Sequence, residues 1–373
     1  MAQKWDEEEL ARLQNDSVGD DEDDETCGIF CFGLGLILMF VGVAILATVI
    51  VYNQSDQNHG PVTSLTSTRD VKPVSKELMK VLETPNSPIN TISHVTPQPK
   101  MSEKLSLLVV VRSLPDSLNF RKSIRETWMP RADKMDNVRV VFSIPAKGAS
   151  PKEQASLEEE SRTNKDMVVF LESDILPESE LLLFEWVWST RTFSFDYLLK
   201  VRDIMYVRLP QLMSDIVKGL KDKKSNTYLG YFEGTRDPKG GGKLDEPDWF
   251  LCDHFIRYAH SGGYILSEKL VKRLLRQAKF LHPYNNEDVA LGTWLSPFND
   301  IDWIHELRFD TETGKARGCK NDNLIFQTKD HADIVVGHHK LIQTGGHCDQ
   351  EYENVRRYSY NFETLPSKCC KPL

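Results

Sequence analysis

The sequence predicts an α/β domain over residues 104–373, with helices on both faces of a parallel sheet. Three observations carry this. Residues 105–111 form a continuous apolar run rich in β-branched side chains, the pattern of a strand buried on both faces. Apolar strand-length runs and helix-spaced segments then alternate along the chain, as in α/β proteins. Before them, residues 53–103 are rich in Ser, Thr, Pro, Asn and Gln and cannot build a core, so the fold begins after an extended, disordered stem.

In order, the first strand is 105–111. Residues 118–128 have helical spacing, with Phe120, Ile124 and Trp128 on one side and Arg121 and Arg125 on another. Residues 138–144 read as a strand, 151–162 as a helix with an acidic face, 167–171 as a strand and 179–188 as a helix. A buried strand follows at 197–201, then a polar break and a helix opening near Leu209. Strands at 228–232 and 262–266, a helix over 268–278 and another opening at Asn286 complete the pattern. The last 45 residues read as irregular and cysteine-bearing.

The formal charge of −9 misleads, because residues 1–26 hold eleven Asp/Glu against Lys4 and Arg12. The remainder is balanced, which excludes a nucleic-acid footprint. Residues 1–27 read as an acidic, solvated tail. Residues 28–52 are uncharged and apolar, long enough to span a bilayer, and follow acidic rather than basic residues, which fits a retained anchor better than a cleaved signal peptide. Cys27 and Cys31 at its start are apolar filler or palmitoylation sites. Asn53 begins a glycosylation sequon if that side of the membrane is lumenal. Five later cysteines, Cys252, Cys319, Cys348, Cys369 and Cys370, lack paired zinc spacing and suggest two disulfides with one cysteine left over.

Chemistry concentrates at a few places. In α/β sheets, ligands bind where strands end and helices begin. The break after the strand ending at Val201 holds Arg202, Asp203 and Ile204, with Lys200 just before it. Arg121 and Arg125, four apart, are a solvated basic face or a clamp for an anion. Asn286 can cap a helix whose first turn carries Glu287 and Asp288; those acids favour the helix dipole, or Asp288 is a general base facing a cleft. Gly262 and Gly263 permit tight backbone geometry or the approach of a sugar. His254 and His260 are six apart, a poor spacing for metal.

These residues, in this order, resemble the β-1,3-galactosyltransferase family. The matching pieces are residues 121–128, the strand ending Leu199 and Lys200, residues 261–267 and residues 287–292. Residues 308–319, Cys252 and the Cys369–Cys370 pair are similar to the branch that builds the glycosaminoglycan linkage region. The resemblance implies a Rossmann-like, nucleotide-sugar-binding glycosyltransferase A-type fold behind an N-terminal transmembrane helix and stem. It implies a single-pass type II protein of the Golgi membrane, a UDP-sugar donor, a glycan or proteoglycan acceptor and an inverting reaction. By position, Asp288 matches the family's base. Arg121, Arg125, Lys200, Arg202 and Asp203 fall at the donor side, and Gly262, Gly263 and Glu287 at the acceptor side or pocket.

The family also implies Mn²⁺, held by the last of three consecutive Asp. Here those positions are Arg202, Asp203 and Ile204, and the place of a downstream metal-binding His holds Gln327. Asp203 is the one remnant of the metal site. A glycine expected at 261 is Ser, and the residues before the strand at 197 depart from the family pattern. Two readings stay open: an active transferase with Arg202 in place of the metal, or a family member without catalysis that partners a Golgi glycosyltransferase.

Overall fold

The computed structural model describes residues 91–95, 105–129, 134–172, 181, 183–187, 194–220, 226–239, 245–247, 249–282, 284–312, 318–355 and 357–372. The expected tail, membrane anchor and most of the stem lie outside these residues, as do Cys27, Cys31 and Asn53. Among the described residues no helix is long and apolar enough to cross a membrane.

The strands are β1 (Thr91–Ser93), β2 (Leu107–Arg112), β3 (Val138–Pro145), β4 (Met167–Phe170), β5 (Tyr197–Arg202), β6 (Met205–Val207), β7 (Asn226–Glu233), β8 (Tyr258–Ser267) and β9 (Ile301–His305). Of these, β2, β3, β4, β5, β7 and β8 form where the apolar runs predict, whereas β1, β6 and β9 lie where no strand is predicted. Shorter strands follow: β10 (Phe309–Asp310), β11 (Gly318–Cys319) and β12 (Ile325–Gln327). The helices are α1 (Leu118–Glu126), α2 (Pro151–Asn164), α3 (Leu209–Leu212), α4 (Glu268–Gln277), α5 (Glu287–Leu295) and α6 (His331–Thr344). Local chemistry sets several ends. Ser150 and Glu153 form a reciprocal capping box at the start of α2. Asn286 caps α5 by accepting the Asp288 and Val289 amides.

Eight strands make one sheet in the order β1-β4-β3-β2-β5-β8-β7-β9. β4, β3, β2 and β5 are parallel, as their continuous apolar character requires. The sheet is mixed, however, not wholly parallel. β8 runs antiparallel to both β5 and β7, and β1 antiparallel to β4. The residues that form β1 had read as stem; their pairing with Val168–Phe170 places them on the sheet edge instead.

Alternation along the strands divides the core into two layers. Leu108, Val110, Leu198, Tyr264 and Leu266 pack with α4 and α5 on one face. Val109, Val111, Leu199, Val201 and Ile265 pack with α1, α2 and α3 on the other. The C-terminal region is more regular than its sequence suggests. α6 has fourteen residues, yet only Ile334 on it is fully buried, so its apolar periodicity is weak. Its signals were the ends: Asp330 caps it, and Gly345 terminates it at φ 79°. Among the described residues Cys319 pairs with Cys348 and Cys369 with Cys370.

Candidate functional site

The site forms where β2 and β5 end and α5 begins. β8 brings these together. Its Tyr264 is the register partner of Lys200, and its Gly263 that of Val201. Ser261 then lies beside the end of β5. Its carbonyl accepts from Lys200 Nζ at 3.1 Å, and its amide donates to Asp288 Oδ2 at 2.9 Å. Both bonds use the backbone alone, so serine serves where the family has glycine.

Asp288 is 6% exposed and stands in the first turn of α5. Burial, reinforced by the neighbouring Glu287 charge, raises its pKa to about 6. Glu287 behaves oppositely. Burial pushes it up, but the Lys200 ammonium, then Arg112 and Arg202, hold it below the ordinary carboxylate range. Lys200 is fully buried, ion-paired with Glu287 and set over the Tyr264 ring, whose hydroxyl also donates to Glu287 at 3.1 Å. Two adjacent carboxylates thus receive different protonation behaviour, the pattern of an acid–base site.

Several contributors were not evident in the sequence. The buried Glu246 carboxylate accepts the Asn285 and Asn286 amides at 3.0 and 2.6 Å, fixing the cap of α5. Glu233 lies 3.0 Å from His260 Nε2 and accepts from the Tyr258 hydroxyl at 2.9 Å. Burial opposes its charge, but His260 and Arg236 hold its pKa down to about 2. His260 also acts electrostatically on Asp288, so its contact with Glu233 lies beside the site. These partners come from strands and loops distant in sequence, and no local spacing announces them.

Two expectations need correction. Arg121 and Arg125 do not form a clamp for a ligand. Arg121 is 1% exposed and its guanidinium donates to both Glu160 oxygens, to Ser113 Oγ and to the Leu114 and Pro115 carbonyls. Arg125 donates to Asp166 and Glu160. The two arginines fasten α1 to α2 and to the start of β4. Gly262 and Gly263 likewise leave no room for a sugar. A Cβ on Gly262 would lie 2.2 Å from the Thr311 carbonyl oxygen and 2.4 Å from Met205 Cε, and one on Gly263 3.2 Å from Val201 Cγ1. Their small size seats the segment around Thr311 and β6 against β8.

The remnant Asp203 was tested for a divalent cation. It is 7% exposed, its Oδ2 meets no donor, and burial raises its pKa although Ser113 and Arg202 favour the charge. A hard cation needs several oxygen ligands and ionised acids. β12 places Gln327 opposite Met205, and the Thr328 amide and hydroxyl are both spent on the Ile204 carbonyl. Among the described residues the one group of three His, Cys, Asp or Glu close enough for a metal is Cys319, His347 and Cys348, whose cysteines are disulfide-bonded. The residues around Asp203 do not fit Mn²⁺.

The site sets two carboxylates of different protonation behaviour at the strand ends of a mixed α/β sheet, and comparison with known proteins supplies the class. The galactosyltransferase family profile matches residues 119–305, and the chain belongs to that family. It is 31% identical to mouse beta-1,3-galactosyltransferase 6 over 272 residues, covering 72% of this chain and 83% of that protein. It is 28% identical to human UDP-GlcNAc:betaGal beta-1,3-N-acetylglucosaminyltransferase 8 over 206 residues, 53% of this chain and 51% of that one. Membership implies a nucleotide-sugar donor and a glycan acceptor.

Proposed function

We propose that the protein transfers galactose from UDP-galactose to a glycan hydroxyl with inversion, as a type II enzyme of the Golgi membrane acting on the proteoglycan linkage region. The Asp288 site carries this reading. Ser261 holds Oδ2, so Oδ1 is the oxygen offered to an incoming acceptor. The acceptor hydroxyl gives its proton to Asp288 as its oxygen attacks the anomeric carbon. The bond from that carbon to the β-phosphate oxygen breaks on the opposite side, and UDP leaves with the electron pair. A base near its working pH contributes roughly 10²- to 10⁴-fold. The Lys200–Glu287 pair holds the start of α5 against β5 and β8, keeping Asp288 oriented.

The preserved base, with its raised pKa and backbone tether, favours catalysis over the reading of a fold kept only as a partner for another enzyme. The test is galactose transfer from UDP-galactose to a β-galactosyl-xyloside by the wild type and by Asp288→Asn. A loss of at least about 10²-fold at unchanged melting temperature is expected. Turnover by the variant close to wild type would remove Asp288 as the base.

A further inference from the structure

The turn after α6 holds a cluster that the transfer chemistry does not use. We propose that Cys319, His347 and Cys348 form a binding site for zinc, or another borderline-soft divalent cation, whenever the Cys319–Cys348 bridge is open. The same two sulfurs then carry either a disulfide or a metal. The site stands or falls independently of the transferase reading.

The three ligand atoms already lie within 4.8 Å of one another. Cys348 is 8% exposed, and its Sγ is 3.6 Å from His347 Nε2. Tetrahedral zinc, with bonds of about 2.3 Å to sulfur and about 2.0 Å to nitrogen, sets such a pair about 3.6 Å apart. The ring therefore stands at a liganding distance while the bridge is closed. Cysteine sulfur is a weak acceptor, so the bridge itself gains little from this imidazole. A stack on Phe326 fixes the ring, with centroids 3.8 Å apart and planes 9° apart. Among the described residues its buried Nδ1 has no partner, so no hydrogen bond from that side turns the ring away from the sulfurs.

Opening the bridge leaves the ligands assembled. Asn321, two residues past Cys319, accepts the His347 and Cys348 amides on its Oδ1 at 2.9 and 3.0 Å. Cys319 is also the register partner of Tyr352, four residues past Cys348. Disulfides form over seconds to hours, so the newly made chain passes through the open form. A dithiol restores it by exchange: the reductant closes its own disulfide, and its two hydrogens pass to the Cys319 and Cys348 sulfurs. The cation then displaces both thiol protons, giving two thiolate bonds and one imidazole bond, with water in the fourth position. Two sulfurs and a nitrogen suit zinc and not a hard cation such as Mn²⁺. Sequence spacing hides the set, because the cysteines are 29 residues apart and the third ligand is a histidine.

The test uses the full-length protein reduced with dithiothreitol and freed of it under nitrogen. Cobalt(II) is the probe, since its thiolate bonds give a charge-transfer absorption. Reduced protein should bind one cobalt at this site, zinc should displace it, and oxidised protein should show no such band. Cys319→Ser and His347→Ala should each weaken binding about tenfold or more, because each removes a ligand. Changing both Cys369 and Cys370 to Ser should leave it intact, which separates this site from the other thiols that reduction releases. If Cys319→Ser does not fold, zinc should still slow alkylation of Cys319 and Cys348 in the reduced wild type. No cobalt band in reduced protein, a band that survives Cys319→Ser, or alkylation indifferent to zinc would overturn the site. An affinity unchanged in His347→Ala would overturn the three-ligand assignment.

Discussion

The backbone amide of Ser261 donates to Asp288 Oδ2 at 2.9 Å. That bond ties the first turn of α5 to β8 at the point where β8 lies against the end of β5. It favours the charged carboxylate, yet burial and Glu287 outweigh it, and the pKa of Asp288 settles at about 6.

A pH profile follows. Asp288 must be ionised to take a proton, so kcat/KM should be constant above about 6 and fall roughly tenfold per pH unit below it. The stability effect has the opposite sign. A carboxyl whose pKa is raised on folding takes up a proton more readily when folded, so its contribution to stability improves as pH falls from about 6 toward its ordinary value of 3.8. Steady-state kinetics and urea denaturation across that range check both limbs. A rate independent of pH down to 5 would contradict the assignment.

Glu287→Gln should move the acid limb to lower pH. It removes a negative neighbour that raises Asp288 and leaves the Lys200 charge less compensated, and both changes favour the ionised base. Breaking a buried ion pair costs about 3 kcal/mol or more, so urea midpoints should fall as well. A limb that stays put or moves to higher pH would show that Glu287 does not act on Asp288.

Arg121→Ala should act on stability and not on the donor. Its guanidinium is used up inside the protein, and its loss leaves Glu160 poorly compensated in a 10% exposed position. A destabilisation of about 3 kcal/mol is expected, with UDP affinity unchanged where the variant is folded. Selective loss of UDP affinity would restore the anion clamp.

Gly262→Ala should destabilise by about 2 kcal/mol, because its Cβ would meet the Thr311 backbone and Met205. Gly263→Ala, whose Cβ meets only side chains at 3.2 Å or more, should be milder. Thermal melts compare them. An unaltered melting temperature with reduced acceptor affinity for Gly262→Ala would instead assign that glycine to sugar approach.

The alternation of apolar runs fixed β2, β3, β4 and β5, because strands buried on both faces leave an unmistakable continuous pattern in the chain. Asn286 announced the start of α5, and the five cysteines Cys252, Cys319, Cys348, Cys369 and Cys370 suggested two bridges and one cysteine left over without saying which. α6 escaped notice because a helix with one fully buried side chain carries little periodic signal. The sequence also marked Asp288 as a candidate, but it left Arg121 and Arg125 between a basic face and an anion clamp, and Gly262 between tight backbone geometry and the approach of a sugar. Only the tertiary structure decided between those readings, by bringing Glu160, Asp166 and Thr311 against them from elsewhere in the chain. It likewise put Arg112 beside Arg202, ninety positions apart, and set Lys200 against Glu287. Burial and partner choice are properties of the packed sheet, and a linear pattern records which residues can form strands without recording which of them become neighbours.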